Sequence, residues 1–410
     1  MSDTGSRRTL FLVAAASLLC MSPWFSGTVV LPQLERLWQA GIGLSAWLTM
    51  AVQLGFVAGG LVSALFNLPD RFSAPRVFVV SSVGAAAVNA IFAAVAAEQP
   101  YTALAMRFLT GAFLAGVYPP GMKILAGWFR DGRGTALGVL VGALTVGKAL
   151  PHGVFAVTDL PWRDVVLSGS VFALAGAALV AFGVKEGPYA APQPPVDFGQ
   201  IGEVFRNRAS RLANFGYFGH MWELYSMWGW VALLLAASAG TPTHEVAWWA
   251  FAAIAAGGAG CVWAGRAADA PFASPSEAQD KGAAATLEVR VARRARVTIV
   301  AMALSGACCL LAALFFQNFW LLVVVCLVWG AAVVADSAQF STIVSEVSDR
   351  RYVGTALTVQ TAVGFLLTVV SLRVIGAIGT SYGWDWAAAS MAIGPALGIV
   401  AMWRLTRGPA

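Results

Sequence analysis

The amino-acid sequence predicts an all-α polytopic membrane protein with twelve transmembrane helices, arranged as two six-helix bundles that repeat one another. Three observations predict it. Of the 410 residues, 59% are hydrophobic and only 11% charged, with a mean hydropathy of +0.73. A soluble domain carries about 25% charged residues, so most of this surface must face lipid. The apolar residues gather into twelve runs of about 20 residues or more, the length that crosses a hydrocarbon core of about 30 Å. Finally, the tetrapeptide Gly-Thr-Ala-Leu occurs at 134–137 and again at 354–357, and each copy opens one of the runs.

In chain order the predicted spans 1 to 12 are 9–33, 44–68, 75–97, 100–128, 134–157, 163–184, 209–238, 244–266, 297–317, 319–346, 353–378 and 384–405. Span 1 begins like a signal peptide, with Arg7 and Arg8 before LFLVAAASLLCM. Its apolar stretch continues past Ser22 to about Pro32, which predicts an uncleaved membrane helix. Two polar segments separate the runs. Residues 185–208 contain KEGPYAAPQPP, a proline-rich linker. Residues 267–296 contain SPSEAQDKG and then RVARRAR, which predict a long charged loop of disordered composition. The expected organisation is an N-terminal bundle over 1–184, a linker over 185–208, and a C-terminal bundle over 209–410.

Charge asymmetry gives the direction. Of the 26 Lys and Arg, only Arg36 and Arg163 fall in loops or at span ends on the side away from the termini, and Arg107, Lys148 and Arg373 fall deeper within spans. The rest lie on the side of the termini, which places both termini in the cytoplasm and suits a plasma (inner) membrane. The net charge of +6 does not argue for nucleic acid, because the basic residues are dispersed over short loops rather than gathered in a patch. Five cysteines within apolar runs, with no CxxC, predict neither disulfides nor metal ligation, and three histidines do not build a metal site. No cofactor is expected, and a monomer is.

The echo is more than four letters. Each copy follows a basic turn, RDGR at 130–133 and DRRY at 349–352. Each precedes a tryptophan–acid turn, PWRD at 161–164 and GWDW at 383–386. Two six-span halves in the same orientation form a parallel repeat about the membrane normal, an arrangement found in secondary transporters. In span 4, RFLTGAFLAGVYP resembles the RxxxG…G…P signature of the major facilitator superfamily. GRAAD at 265–269 resembles the GxxxD start of that family's cytoplasmic loop motif, with Arg293, Arg294 and Arg296 displaced downstream. SALFNLPDRFSAPR at 63–76 is a poorer copy that lacks the leading glycine. The resemblance covers nearly the whole chain. It implies two bundles rocking about a central cavity, with Asp70, Arg71, Arg266 and Asp269 biasing a cytoplasmic gate. It says almost nothing about substrate. The Gly-Pro pair of the family's antiporter signature is missing from GKALP, and the arginines a nitrate porter carries in spans 2 and 8 are absent.

Charge within the bilayer costs about 2.5–3.5 kcal/mol on insertion scales, so each intramembrane ionisable residue is a candidate. Lys148 lies about 21 Å along span 5 and Arg107 about 10 Å along the oppositely directed span 4, at 1.5 Å per residue. That places them at one level, where two cations would attract an anion; the bland alternatives are snorkelling and structural pairing. Tyr118 shares the stripe of Arg107. Glu223 and Asp336 are too short to snorkel. They must face water, pair with a cation or stay protonated, which suits proton coupling or substrate contact, or else a fixed ion pair. His220 lies one turn before Glu223 and is expected to share its proton, and Gln339 lies beside Asp336. Trp24, next to Pro23, is placed to line a central cavity, although packing is the plainer role. Arg373 reads as an interface anchor. Glycines 134, 138 and 142 repeat at the spacing that lets a second helix approach closely.

The expected function is proton-coupled alternating-access transport of a small solute, an organic anion held by Lys148, Arg107, Tyr118, His220, Glu223, Gln339 and Trp24. Protons would pass through Glu223, Asp336 and His220. The expected partners are the substrate, protons and the bilayer. Two alternatives stay open. One is efflux of amphipathic drugs, centred on Glu223 and Asp336. The other is a membrane-embedded sensor or enzyme, for which no nucleophile–base motif or phosphate loop is present.

Overall fold

A computed structural model of the chain describes residues 3–39, 42–129, 132–158, 160–190, 197, 199, 201–240, 244–269, 282–349 and 353–407. All twelve expected spans are helical. Span 1 comprises helices Asp3–Cys20 and Pro23–Val29, span 2 Ile42–Leu65, span 3 Ala74–Val95, and span 4 Pro100–Leu114 with Tyr118–Trp128. Spans 5 to 9 are Arg133–Val157, Trp162–Gly183, Arg208–Ala239, His244–Asp269 and Gly282–Leu314. Span 10 is Phe319–Val333 with Ser337–Val347, span 11 Val353–Tyr382, and span 12 Trp384–Met391 with Ile393–Thr406. Ten of the twelve are long and apolar enough to cross a membrane on composition alone. The other two, spans 4 and 7, carry the fully buried Arg107 and the buried Glu223.

Helix breaks follow local chemistry. Span 1 stops before Pro23, which has no N–H to continue the ladder and starts the next helix instead. Spans 4 and 10 break at equivalent places, after Leu114 and after Val333, which is within a residue of the 220-residue spacing of the repeated tetrapeptide.

Spans 1 to 6 pack chiefly on one another, as do spans 7 to 12, and two seams join the groups: span 5 on span 8, and span 2 on span 11. The glycine stripe of span 5 meets span 8. A methyl group added at Gly142 would lie 2.8 Å from the Gly258 carbonyl oxygen, and one at Gly138 2.9 Å from that of Cys261. The two backbones are therefore in direct contact, as the spacing predicts.

One expectation needs correction. The charged segment 267–296 is not a continuous loop. Span 8 extends to Asp269 and span 9 begins at Gly282, leaving 270–281 outside the described residues. The reason is periodicity. Leu287, Val291 and Ala295 recur every four residues on one helix face and pack into the core, with Val291 2% exposed and Ala295 fully buried. The linker reaches the second bundle's face, where the Asp197 amide donates to Thr355 Oγ1 at 3.0 Å.

Candidate functional site

The break in span 1 sets Trp24 and Phe25 into the middle of the molecule, both essentially unexposed. Opposite them, Gly147 of span 5 lies against the backbone of Leu18, so close that a side chain there would collide with the Leu18 carbonyl. This approach brings the next residue, Lys148, under the Trp24 ring. Its Nζ lies 4.3 Å from the Trp24 ring centroid and 4.9 Å from those of Tyr225 and Trp228, and it donates to Tyr225 Oη at 2.6 Å. Phe56 of span 2 and Phe365 of span 11 close the base of this cage, 4.6 Å apart and each within 6 Å of Trp24. The cage thus draws on spans 1, 2 and 5 of the first half and spans 7 and 11 of the second. Cation–π contacts stabilise an ammonium by about 0.5–2 kcal/mol each, but they do not neutralise it. No carboxylate among the described residues forms an ion pair with Lys148.

Arg107 is held elsewhere. Its guanidinium is fully buried and donates to the Pro23 carbonyl at 2.8 Å, to Ser26 Oγ at 3.2 Å, to the Leu48 carbonyl at 3.4 Å and to the Trp24 carbonyl. Phe92 covers it from 5.4 Å. Ser26 continues the network to Asn89, which bonds Val166 and Ser170. Arg107 therefore ties the broken part of span 1 to spans 2 and 4, and its donors are engaged by the protein itself. The expected pair of free cations becomes a single one.

The acids separate as well. Glu223 accepts from Ser305 Oγ at 2.9 Å, Trp329 Nε1 at 2.6 Å and Cys309 Sγ at 3.2 Å, wholly within the second half. His220 does not pair with Glu223; its Nδ1 lies 2.8 Å from Asp336 Oδ1, both groups 1% exposed. Helical geometry explains the division. Glu223 and Tyr225 are two residues apart, about 200° around the helix, so the acid face and the cage face of span 7 point apart. Asp336 comes from the break in span 10, where i→i+3 backbone bonds replace the α-helical ladder, and its carboxylate meets His220 of span 7.

Gln339 also leaves the expected site. Its Oε1 accepts from Arg294 Nη1 at 2.8 Å. Arg294 Nη2 further bonds Glu346 at 3.3 Å and lies 3.8 Å from Asp269. Asp269 in turn accepts from the backbone amide of Thr135 at 2.8 Å and from its hydroxyl at 3.3 Å. A carboxylate at a helix N-terminus is favoured by the unpaired amides and the helix dipole there. This contact joins the halves on the side of the termini. Of the expected gate residues, Asp269 takes part, while Arg71 and Arg266 stand exposed. The side chain of Asp70 lies outside the described residues. Tyr118 begins the second helix of span 4 and is half-buried. Arg373 is exposed, as an anchor would be, and all five cysteines are buried thiols.

Sequence reasoning missed Tyr225, Trp228, Phe56 and Phe365 as cage walls. Tyr225 and Trp228 carried a signal, being three residues apart on one helix face. Phe56 and Phe365 carried none, since aromatics in apolar spans usually pack.

The family model of the Major Facilitator Superfamily matches residues 10–275. A search of curated proteins finds no match. Among solved structures, that of the proton:xylose symporter XylE bound to 6-bromo-6-deoxy-D-glucose is similar, with a TM-score of 0.70 at 12% identity, covering 99% of this chain and 97% of that one. At that identity the likeness is one of fold.

Proposed function

The chain belongs to the major facilitator superfamily, a multi-pass membrane protein and secondary transporter by that membership, and on this premise we propose that its cargo is a small organic anion bound at Lys148. One observation carries the reading: a buried lysine at the seam between the halves has aromatic faces and one phenol around it and, among the described residues, no carboxylate paired with it. A buried charge is stable when paired, and a carboxylate substrate supplies the missing charge. Because the cage draws walls from both halves, binding there is coupled to their relative tilt. The His220–Asp336 pair is the proposed proton site, lying in span 10's broken segment and within the second half. The loop charges support cytoplasmic termini in a plasma (inner) membrane. Drug efflux is less well supported, since Glu223 and Asp336 are both engaged by neighbours and Lys148 fills the aromatic cage that a lipophilic cation would need.

The test is uptake of carboxylates into proteoliposomes under an imposed pH gradient, compared with Lys148→Met. Wild type should accumulate an anion, with its affinity lowered about 10- to 100-fold in the variant, as expected for loss of a hydrogen bond to a charged group. Equal uptake by both proteins, or stabilisation only by lipophilic cations, would overturn the proposal.

A further inference from the structure

One turn beyond the cage, on the side away from the termini, several buried polar atoms have no partner among the described residues. His152 follows Lys148 by four residues on the same face of span 5, is 1% exposed, and leaves both Nδ1 and Nε2 without a hydrogen bond. Gln53 precedes Phe56 by three residues on span 2, is unexposed, and leaves both amide atoms unbonded. The indole nitrogens of Trp24 and Trp228, whose rings form the cage, are likewise unbonded. Buried polar atoms are bonded in the great majority of cases, and each exception asks for an explanation. Other unbonded buried atoms are scattered through both bundles, Asn214 Oδ1 and Gln360 Nε2 among them, but the six atoms of these four residues belong to the cage or lie one turn from it along the same helix face. They comprise donors and acceptors together. A neutral imidazole offers one of each, a primary amide two donors and an acceptor, and each indole one donor.

We propose that this tier is a second subsite, and that the cargo is a short carboxylate bearing a second oxygen-containing group. The carboxylate would sit at Lys148 and the second group between His152 and Gln53. Four helical residues rise about 6 Å, which sets the approximate separation of the two groups. A hydroxy acid, an oxo acid or a short dicarboxylate meets that description, whereas a simple fatty acid places apolar carbon against unbonded donors. A site built to hydrogen-bond an oxygen rejects analogues lacking it far more strongly than an apolar pocket discriminates a methylene.

The inference rests on the anion site at Lys148, and the experiment separates the two. Purified full-length protein is titrated with butyrate, 4-hydroxybutyrate and succinate, following ligand-induced stabilisation, for wild type, His152→Leu and Gln53→Leu. Wild type should bind 4-hydroxybutyrate or succinate at least about 10-fold more tightly than butyrate, and each substitution should bring that ratio towards one. Butyrate binding as tightly as both difunctional acids in wild type would overturn the second subsite, as would a ratio unchanged in both variants. In either case, dependence of butyrate binding on Lys148 would leave the anion site standing. Failure of all three acids to bind wild type would remove both readings.

Discussion

Replacing Arg107 by methionine separates a structural cation from a substrate-binding one. The guanidinium makes three close hydrogen bonds, to the Pro23 and Trp24 carbonyls and Ser26 Oγ, and a longer one to Leu48. Hydrogen bonds to charged groups contribute about 1.5–3 kcal/mol each, so the three close ones give roughly 5 kcal/mol at the low end. Methionine removes the burden of a desolvated charge, and replacing buried ionic groups by apolar ones commonly returns about 1–4 kcal/mol. The net expectation is a loss of about 1–4 kcal/mol of stability, concentrated where span 1 meets spans 2 and 4. Denaturant titration in mixed micelles measures the loss, and anion titration of the folded fraction measures binding. The dissociation constant should change less than about threefold, because the donors of Arg107 end on main-chain carbonyls and Ser26 rather than on the ring faces around Lys148. A tenfold weaker dissociation constant at unchanged stability would refute this reasoning and return Arg107 to the substrate site.

Asp336→Asn removes the charged partner of His220. Gradient-driven uptake should disappear while substrate exchange across liposomes persists; unimpaired gradient-driven uptake would exclude the pair as the proton site. Gly142→Val places a branched side chain against the Gly258 carbonyl, 2.8 Å from where its Cβ must sit. It should abolish transport by forcing spans 5 and 8 apart, read as a loss of flux in protein that still purifies as a monodisperse species. Asp269→Asn and Arg294→Met each weaken the contact on the side of the termini. Hydrogen exchange at the start of span 5 should rise several-fold in both variants, with the middle of the span little changed.

Much of the fold was legible because lipid imposes a simple rule: only helices and closed barrels satisfy their own backbone there, and runs of about 20 apolar residues are too long for barrel strands. The repeat was legible as well, and the breaks in spans 4 and 10 recur at its spacing. The site was legible only where a residue was anomalous. Lys148 stood out because nothing near it in sequence could neutralise it. What sequence could not supply was the partner of each charge. Arg107 and Lys148 look alike along their helices, yet one meets the carbonyls of a broken helix and the other meets aromatic rings. His220 was nearest to Glu223 in sequence but pairs with Asp336, 116 positions away, which sits at the break between the two helices of span 10. The arginines of 290–296 read as loop because their charge masked the four-residue apolar period beneath it.

The two kinds of contact between the halves divide the mechanical labour. Along the middle of spans 5 and 8, glycine sets main chain against main chain, held by dispersion and weak Cα–H···O contacts that vary little as the helices roll. At one end, Thr135 bonds Asp269 across the halves, and Asp269 lies 3.8 Å from Arg294, which itself bonds Glu346 within the second half. The seam therefore behaves as a bearing and the charged cluster as its latch. Tilting the halves breaks few bonds along the bearing, so the barrier to opening that end is concentrated in a handful of side chains, where a single substitution can change the rate of the cycle without touching the cargo.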